Sequence, residues 1–408
     1  MKRLTSCRVC GNKKIKQFIN LGNQPYANSL LKNPAQKEKS YPLALSYCLN
    51  CSLVQLNHTA DPKELFSNYV WVTATSSTAK THAENFCKET LSRVNLAKEE
   101  LVLELASNDG TFLIPFIKKG YRVLGLDPAQ NIVNMAIKNG VPTECRFFGV
   151  KTAEKLTEKH GLAKIIIARN VIPHVANTHD FIEGMAKSIT DDGLLALEVH
   201  YAKKIYEELH YDSIYHEHLC YFTVKNFERL LNKYDLYIED IGTSPISGGS
   251  LIYYARKRGV KEKPVVEEYR KAESKIKLNT LSSWQDFAKR ADANRIKLLE
   301  ILNKYKGKNI VGYGASARSS TLLNYCGIGI QQLSVIADMN PLKQNLYTAG
   351  THIPIKNPSD VMKTKPDFIL ILAWNFKAEI MKFLKDKYKY NNKYIIPLPN
   401  NPKIVTKQ

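Results

Sequence analysis

The chain has 408 residues, 44% of them hydrophobic, which allows two or three domains with separate cores and excludes a disordered class. Its formal charge of +21 would suit nucleic acid, anionic lipid or a phosphate-bearing small molecule. The lysines are scattered, however, and basic runs such as Ala255 to Lys263 are short, so a solvated basic surface is expected and neither a nucleic-acid face nor a membrane contact. No apolar run reaches the roughly 18 residues that span a bilayer, and MKRLTSCRVC lacks a signal-peptide core. A cytoplasmic protein is therefore expected, with its eight cysteines as thiols.

In residues 1–80, Cys7 with Cys10 and Cys48 with Cys51 form two C-x-x-C pairs, the first followed by Gly11, which suits a tight zinc knuckle. Four thiolates close a tetrahedral shell and leave no position for water, so this zinc is expected to be structural. The 37 residues between the pairs exceed the usual ribbon spacing and imply a small subdomain threaded between the knuckles. LGNQPYAN (Leu21 to Asn28) reads as a turn, and ELFSNYVWVTATSS (Glu64 to Ser77) ends in small hydroxyl residues. Taken alone, Tyr69 and Trp71 would be core or edge aromatics.

In residues 81–258, LVLELASNDGTFLIPF from Leu101 reads as a buried strand, a turn holding Asn108, Asp109 and Gly110, and a helix. A second strand ends at Asp127, where an acidic residue meets ribose hydroxyls in doubly wound folds. Alternation continues through a helix (Ala129 to Asn139), a strand near Cys145 to Phe148, a helix (Thr152 to Lys159), KIIIARNV and LLALEVH. The first turn is ASNDG and not G-x-G-x-x-G, so it suits a ligand that needs carboxylates and amides but carries no phosphate. S-adenosylmethionine is such a ligand, with Glu104 and Asp109 near its amino-acid and sulfonium end and Asp127 on its ribose. Asn170 and His174 follow at the carboxyl edge of the fourth strand, where a lone histidine would by itself be a surface or packing residue.

DSIYHEHLCYF (Asp212 to Phe222) crowds Tyr215, His216, Glu217 and His218 into four consecutive positions, a mixture suited to proton transfer. A helix would put Tyr215 and His218 on one face, whereas an extended loop would pair Tyr215 with Glu217. Thr223 is the expected N-cap of VKNFERLLNKYD, and nearness to that helix N-terminus would keep an imidazole neutral, as a base requires. Metal binding by H-E-H is the rival reading, but no third ligand presents itself. ISGGSLIYY (Ile246 to Tyr254) reads as a last strand entered through Gly248 and Gly249.

In residues 259–408, a charged helical connector runs to Tyr305. The strand NIVGYGAS then gives G-x-G-x-x-A through Gly312, Gly314 and Ala317, with LSVIAD ending at Asp338, so a second Rossmann-like unit is expected. The pattern is that of an NAD site, although Arg318 beside it could hold a nucleotide diphosphate without any nicotinamide. DFILILAWNF ends in Trp374 and Asn375, again at a ligand-binding edge.

These residues resemble the sugar C-methyltransferases of deoxysugar biosynthesis, which move a methyl group from S-adenosylmethionine to carbon 3 of a nucleotide-linked 4-keto-6-deoxyhexose. The resemblance runs through CRVCG, CLNC, LGNQP, NYVW, ELASNDG, NVIPH, YHEH, SGGS, VGYGASAR, the Asp338 to Lys343 stretch, HIP and AWN, and so covers essentially the whole chain. It implies an α/β protein with a small four-cysteine zinc-binding N-terminal domain (1–80), a central Rossmann-like class I methyltransferase domain (81–258) and a C-terminal Rossmann-like α/β domain (259–408) that holds the nucleotide sugar. By that resemblance Tyr69, His174, Tyr215, Glu217 and His218 are catalytic, and Gln24, Glu104, Ala106, Asn108, Asp109, Asp127, Pro128 and Asn170 bind S-adenosylmethionine. Gly248, Gly249, Ser250, Gly314, Ser316, Arg318, Lys343, His352, Trp374 and Asn375 bind the substrate, TDP-linked first and GDP-linked second. The chain departs from the family at Ala106 (commonly Gly), Ser247 (His), Ile252 (Arg) and Arg318 (Lys), and Ser247 and Ile252 imply a different hexose substituent or configuration.

The implied chemistry has His218 removing the carbon 3 proton, with Tyr215 and His174 donating hydrogen bonds to the enolate and Glu217 orienting His218 or binding the substituent. His216 is a bystander. A monomer or small homo-oligomer is expected. Two other classes compete: an NAD-dependent sugar-nucleotide oxidoreductase built on the Gly312 turn, and a zinc-knuckle nucleic-acid-binding protein supported by net charge alone.

Overall fold

The computed structural model describes residues 1–67, 72–73, 77–244, 248–257 and 260–406. The N-terminal part contains β1 (Lys2–Arg3), β2 (Ile15–Gln24), β3 (Tyr41–Cys48), β4 (Val54–Leu56), β5 (His58–Thr59) and α1 (Pro62–Phe66). The central part contains α2 (Ser77–Leu91), β6 (Leu101–Leu105), α3 (Ile114–Lys118), β7 (Arg122–Asp127), α4 (Gln130–Lys138), β8 (Thr143–Cys145), α5 (Val150–His160) and β9 (Ala163–Arg169). It continues with α6 (Thr178–Ser188), β10 (Ile189–His200), α7 (Ala202–Glu207), β11 (Cys220–Tyr221), α8 (Val224–Asn232), β12 (Tyr237–Ser244) and β13 (Ser250–Arg256). The last part contains α9 (Pro264–Lys275), α10 (Leu281–Lys304), β14 (Ile310–Tyr313), α11 (Ala317–Cys326), β15 (Ile336–Ala337), β16 (Ile355–Lys356), α12 (Pro358–Lys363), β17 (Phe368–Ile371), α13 (Lys377–Tyr388), β18 (Lys393–Ile396) and β19 (Lys403–Val405).

Continuous apolar strands demand burial on both faces, and the central sheet provides it. Leu101, Leu103 and Leu105 of β6 belong to one hydrophobic cluster and Val102 to another, and β10 divides Leu195, Leu197 and Val199 from Leu194 and Ala196 in the same way. The sheet order is β12-β13-β10-β9-β6-β7-β8, with β10-β9-β6-β7-β8 parallel and β13 antiparallel to both its neighbours. The strand order reverses between β6 and β9, which opens a crevice at their carboxyl ends. The C-terminal sheet repeats the plan as β16-β15-β14-β17-β18-β19, with its switch between β14 and β17.

Several element boundaries differ from the sequence reading. The strand expected near Cys145 to Phe148 is Thr143–Cys145. Helix α6 was not anticipated, although Asn177 caps it by accepting from the Asp180 N–H and its Phe181, Ile182 and Met185 are buried. Instead of one last strand, β12 and β13 form an antiparallel pair. The connector is two helices, because the chain breaks after Lys275 and restarts at the Thr280 N-cap. Thr223 does cap α8, in a capping box with Asn226 that places Phe227, Leu230 and Leu231 inside.

The N-terminal sheet, β11-β4-β3-β2, is antiparallel and takes β11 from the centre of the chain. Helix α10 packs against it and against α11. Trp284 of α10 is 1% exposed, donates its indole N–H to Leu278 O at 3.0 Å, and meets Phe18 of β2, Tyr206 of α7 and Phe287 at 5.6–5.8 Å between ring centroids. One side chain thus joins the N-terminal sheet, the central part and α10. Trp284→Ala should lower unfolding stability by about 3–5 kcal/mol, read as a fall in the denaturant midpoint with little change in slope.

Candidate active site

Pairing of Ile15 with Cys48 in the β2–β3 hairpin brings the two C-x-x-C turns together and accounts for the long stretch between them. Gly11 N–H donates to Cys7 O at 2.9 Å and Ser52 N–H to Cys48 O at 3.0 Å, and both turn residues are left-handed, at φ +70° and +65°. The four sulfurs lie within 4.8 Å of one another, with Cys7–Cys51 at 3.4 Å and Cys10–Cys48 at 3.5 Å. A tetrahedron of four sulfurs on zinc, with bonds of about 2.3 Å, has edges of about 3.8 Å, so a small expansion admits the ion. Hydrogen bonding from Cys51 pulls the Cys7 thiol down to about 5.

In the central crevice, the turn after β6 takes left-handed backbone at Ala106 (φ +55°), Asn108 (+51°) and Gly110 (+79°). Only Gly110 avoids side-chain strain there, and it must, since a Cβ would lie 2.6 Å from Val141 Cγ2. Asn108 N–H donates to Asp127 Oδ2 at 3.0 Å and Ala129 N–H to Asp127 Oδ1 at 2.9 Å, so the carboxylate at the end of β7 holds both turns around the crevice. Asp109 accepts from the Thr111 hydroxyl at 2.7 Å and N–H at 3.3 Å, which directs it into its own turn. Glu104 is fully buried, accepts from Arg169 Nε at 3.1 Å, and is pushed up to about 7 by burial. Pro128 continues from Asp127, and Gln24 lies buried at the end of β2, donating to Leu21 O at 3.0 Å.

A polar network behind this crevice escaped the sequence reading. Glu198 of β10 accepts from Asn170 Nδ2 and the Ser244 hydroxyl at 3.0 Å each, and pairs with His82 Nε2 at 3.0 Å. Burial works to raise the Glu198 carboxyl, but the His82 hydrogen bond and nearby Arg169 hold it below the usual range. The only sequence signal was a glutamate inside an apolar strand.

The Asp212 to Phe222 segment is held by all three parts of the chain. Cys220 and Tyr221 pair with Gln55 and Val54, Leu219 N–H donates to Pro173 O at 2.8 Å, and Thr321 Oγ1 donates to Ile214 O at 2.7 Å. Asp212 accepts Arg318 Nε at 3.0 Å and Nη2 at 2.7 Å, together with Trp374 Nε1 at 2.7 Å. Two of the four central side chains consequently turn toward the N-terminal part. His216 meets Tyr26 and Tyr41 edge-on, and Glu217 accepts from Asn28 Nδ2 at 2.7 Å.

Tyr215 and His218 pair with each other, the pairing expected of a helix, although the segment is a turn closed by the His218 N–H on Tyr215 O at 2.9 Å: Tyr215 Oη lies 2.7 Å from His218 Nε2. His218 Nδ1 lies 2.7 Å from Ser213 O, and a carbonyl only accepts, so Nδ1 carries the hydrogen and Nε2 accepts from the tyrosine. The orienting group is therefore the Ser213 carbonyl. His174 sits edge-on to His218, 4.8 Å between centroids, and its ring nitrogens have no hydrogen-bond partner among the described residues. His218 is kept neutral by burial, with His174 and Arg318 adding to it. The α8 N-terminus is not the cause, because β11 intervenes and α8 begins only at Val224. Burial likewise pushes His174 down to about 4 and Tyr215 well up.

In the C-terminal part, the loop at Gly248 brings Arg318 and His210 close, for a Cβ there would lie 3.2 Å from Arg318 Nη1 and 3.1 Å from His210 Cε1. Gly249 and Ser250 lead from it into β13. A Cβ on Gly314 would strike Ala373 Cβ at 2.5 Å, so this glycine is required by the neighbouring β17 edge. Asp338 accepts from Ala315 N–H at 2.7 Å and Asn340 N–H at 2.8 Å, and Lys343 Nζ donates to Ala315 O at 2.7 Å. Those groups clamp the glycine turn, and Ser316 caps α11.

Not every residue expected at the site reaches it. His352 pairs with Glu38 at 2.6 Å, and Asn375 follows Trp374 half-buried with no side-chain bond to the cluster among the described residues. Ile252 is 1% exposed inside a hydrophobic cluster of the central sheet, so it does not line the sugar side. Tyr69, Trp71 and Ser247 lie outside the described residues.

A four-cysteine cluster, a crevice at a doubly wound switch point and a second Rossmann-like sheet fit the class that the family models give, an S-adenosylmethionine-dependent methyltransferase with a zinc-binding N-terminal region. Three family models match in order: "Putative zinc binding domain" over residues 7–66, "Methyltransferase domain" over 79–241 and "C-methyltransferase C-terminal domain" over 245–399. The chain belongs to the C-methyltransferase family: it is 30% identical over 412 residues to C-methyltransferase NovU of Streptomyces niveus, covering 100% of this chain and 98% of that protein. A ubiquinone biosynthesis O-methyltransferase of Bartonella bacilliformis is 31% identical over 98 residues, 23% of this chain and 38% of that protein. Among solved structures, magnesium protoporphyrin IX methyltransferase of Synechocystis PCC 6803 with bound S-adenosylmethionine has a TM-score of 0.33 at 15% identity, covering 44% of this chain and 79% of that one. An S-adenosylmethionine-dependent methyltransferase of Clostridium acetobutylicum has a TM-score of 0.36 at 13% identity, covering 46% of this chain and 94% of that one. Among the described residues, no helix is long and apolar enough to cross a membrane.

Two outcomes follow from the charges at these sites. Purified protein should carry one zinc by metal analysis, and Cys48→Ser should lose the metal and lower the melting temperature, because structural zinc supplies folding energy. Acid should also destabilise the fold. His174 and His216 titrate near 4 when folded, so between about 6.5 and 4 the unfolded chain binds protons that the native one does not, and stability falls with falling pH. Glu104, raised to about 7, has the opposite sign above its ordinary value. With His200, His210 and His218 also lowered, proton uptake wins, and calorimetric unfolding near pH 5 should take up protons.

Proposed function

We propose that the enzyme methylates carbon 3 of a nucleotide-linked 4-keto-6-deoxyhexose through an enolate. The observation that carries this reading is the Ser213–His218–Tyr215 chain, a neutral base held behind a phenol at the junction of the three parts of the protein. A 4-keto group makes the carbon 3 hydrogen acidic, because the resulting carbanion is an enolate, and a base without a metal then suffices.

In this mechanism the Tyr215 oxygen takes the carbon 3 proton while passing its own to His218 Nε2. This reverses the order expected from sequence, since the His218 lone pair is already filled by Tyr215. His174, neutral and with unoccupied ring nitrogens among the described residues, donates to the developing enolate oxygen. S-adenosylmethionine, when bound in the Glu104 to Asp127 crevice, supplies an electrophilic methyl group. Held there, it would give that methyl to carbon 3 and keep the carbon–sulfur electron pair. Arg318 and Trp374, fixed on Asp212, face the nucleotide diphosphate and sugar from the C-terminal sheet, and Glu217 supports the loop from the side of Asn28.

Incubation with TDP- and GDP-linked 4-keto-6-deoxyhexoses in deuterated water should give exchange at carbon 3 and gain of one methyl. His218→Asn and Tyr215→Phe should each lower turnover by roughly 10² to 10⁴-fold while calorimetric binding of S-adenosylhomocysteine stays unchanged. Normal turnover in both variants would refute the mechanism.

A further inference from the structure

The site contains a second string of titratable groups that the mechanism above does not use. His200 ends β10, and its ring centroid lies 6.5 Å from that of His218. Its Nε2 lies 3.5 Å from His210 Nδ1, and His210 Nε2 lies 3.0 Å from Glu208 Oε2. His200 and His210 are 7% and 0% exposed, whereas the Glu208 side chain is 30% exposed. The three groups therefore lead from the Tyr215–His218 pair to the surface.

The hydrogen positions follow from the far end. A carboxylate only accepts, so His210 Nε2 carries a hydrogen and its Nδ1, in the neutral ring, is a lone pair. That lone pair accepts from His200 Nε2–H, which leaves His200 Nδ1 as a bare acceptor with no partner among the described residues. Both rings are kept neutral by burial, while the His210 hydrogen bond holds the Glu208 carboxyl at about 2. Arg318, Asp212 and Trp374 crowd His210 from the other side, and they fix the ring without offering a route outward.

We propose that His200, His210 and Glu208 form a proton conduit between the Tyr215–His218 base and solvent. A relay of this kind needs a proton to carry, and the proposed reaction provides one: each turnover breaks a carbon–hydrogen bond and a sulfur–methyl bond, forms a carbon–methyl bond, leaves the electron pair on sulfur and releases one proton. That proton moves from the Tyr215–His218 pair, across one water or substrate hydroxyl, to His200 Nδ1. His200 gives its Nε2 hydrogen to His210 Nδ1, and His210 gives its own to Glu208 and so to bulk water. No group is oxidised or reduced. The inference rests on the proposed enolate chemistry, and its consequence is that an abstracted proton can leave the pocket while substrate is still bound.

Exchange and methyl transfer separate this role from a structural one. With S-adenosylhomocysteine in place of the methyl donor, wild-type protein in deuterated water should wash deuterium into carbon 3 of the keto sugar. Glu208→Gln and His210→Gln should slow that wash-in by at least about tenfold, because the same proton returns to carbon, while single-turnover methyl transfer stays within about twofold. Glu208 lies at the surface, so its variant tests the idea even if the buried His210 variant misfolds. Unchanged wash-in overturns the conduit, and so does a parallel loss of wash-in and transfer, which would make these residues part of substrate binding. If wild-type protein shows neither exchange nor transfer on any keto sugar, the enolate reading fails instead.

Discussion

The buried carboxylate of Asp212 is the interaction on which the arrangement of the site depends. It receives two hydrogen bonds from Arg318 and one from the Trp374 indole, all at 2.7–3.0 Å and with no exposure of its own. Desolvating a carboxylate is expensive, and here a bidentate guanidinium and a third donor offset the cost. Removing one partner of such a pair costs about 3–5 kcal/mol, since the other charge is left buried alone. That penalty ties the C-terminal sheet to the loop carrying Tyr215 and His218. The edge that carries Arg318 and Trp374 is thus the same edge that positions the proposed base.

Second to this pair comes the stitching of the loop into the N-terminal sheet. β11 is only two residues long, yet it extends β4 and puts the Asp212 to Phe222 segment under the control of the zinc-binding hairpin. Zinc loss would therefore reach Tyr215 and His218 through backbone pairing without any contact to the metal. His216 and Glu217 serve the same geometry, one packed on Tyr26 and Tyr41 and the other holding Asn28.

Much of the fold was legible because its signals are local. Two C-x-x-C pairs, apolar runs such as KIIIARNV and an acidic residue closing a strand need no tertiary context to be read. What escaped was set by contacts between distant residues. The hairpin of β12 and β13 is defined by pairing across the Gly248 loop, and Ile252 reads as a sugar contact until the sheet register turns it into the core. The Gly314 turn resembles a dinucleotide cradle, but what requires its glycine is the close approach of Ala373, a contact between residues 59 positions apart that no local pattern shows.

The same limit explains why residue types at the site were legible and their roles were not. Sequence places a phenol and imidazoles together, but it cannot tell which nitrogen is bonded to what. The Ser213 carbonyl decides the His218 tautomer, and that decision turns the Nε2 lone pair toward the Tyr215 hydroxyl. Sequence also suggests a helix dipole as the agent that keeps His218 uncharged, whereas burial does so, with His174 and Arg318 adding to it. A pocket that suppresses imidazolium beside a fixed guanidinium reserves its positive charge for one place. The guanidinium is itself matched by the Asp212 carboxylate, so the loop keeps one paired charge and a neutral imidazole side by side.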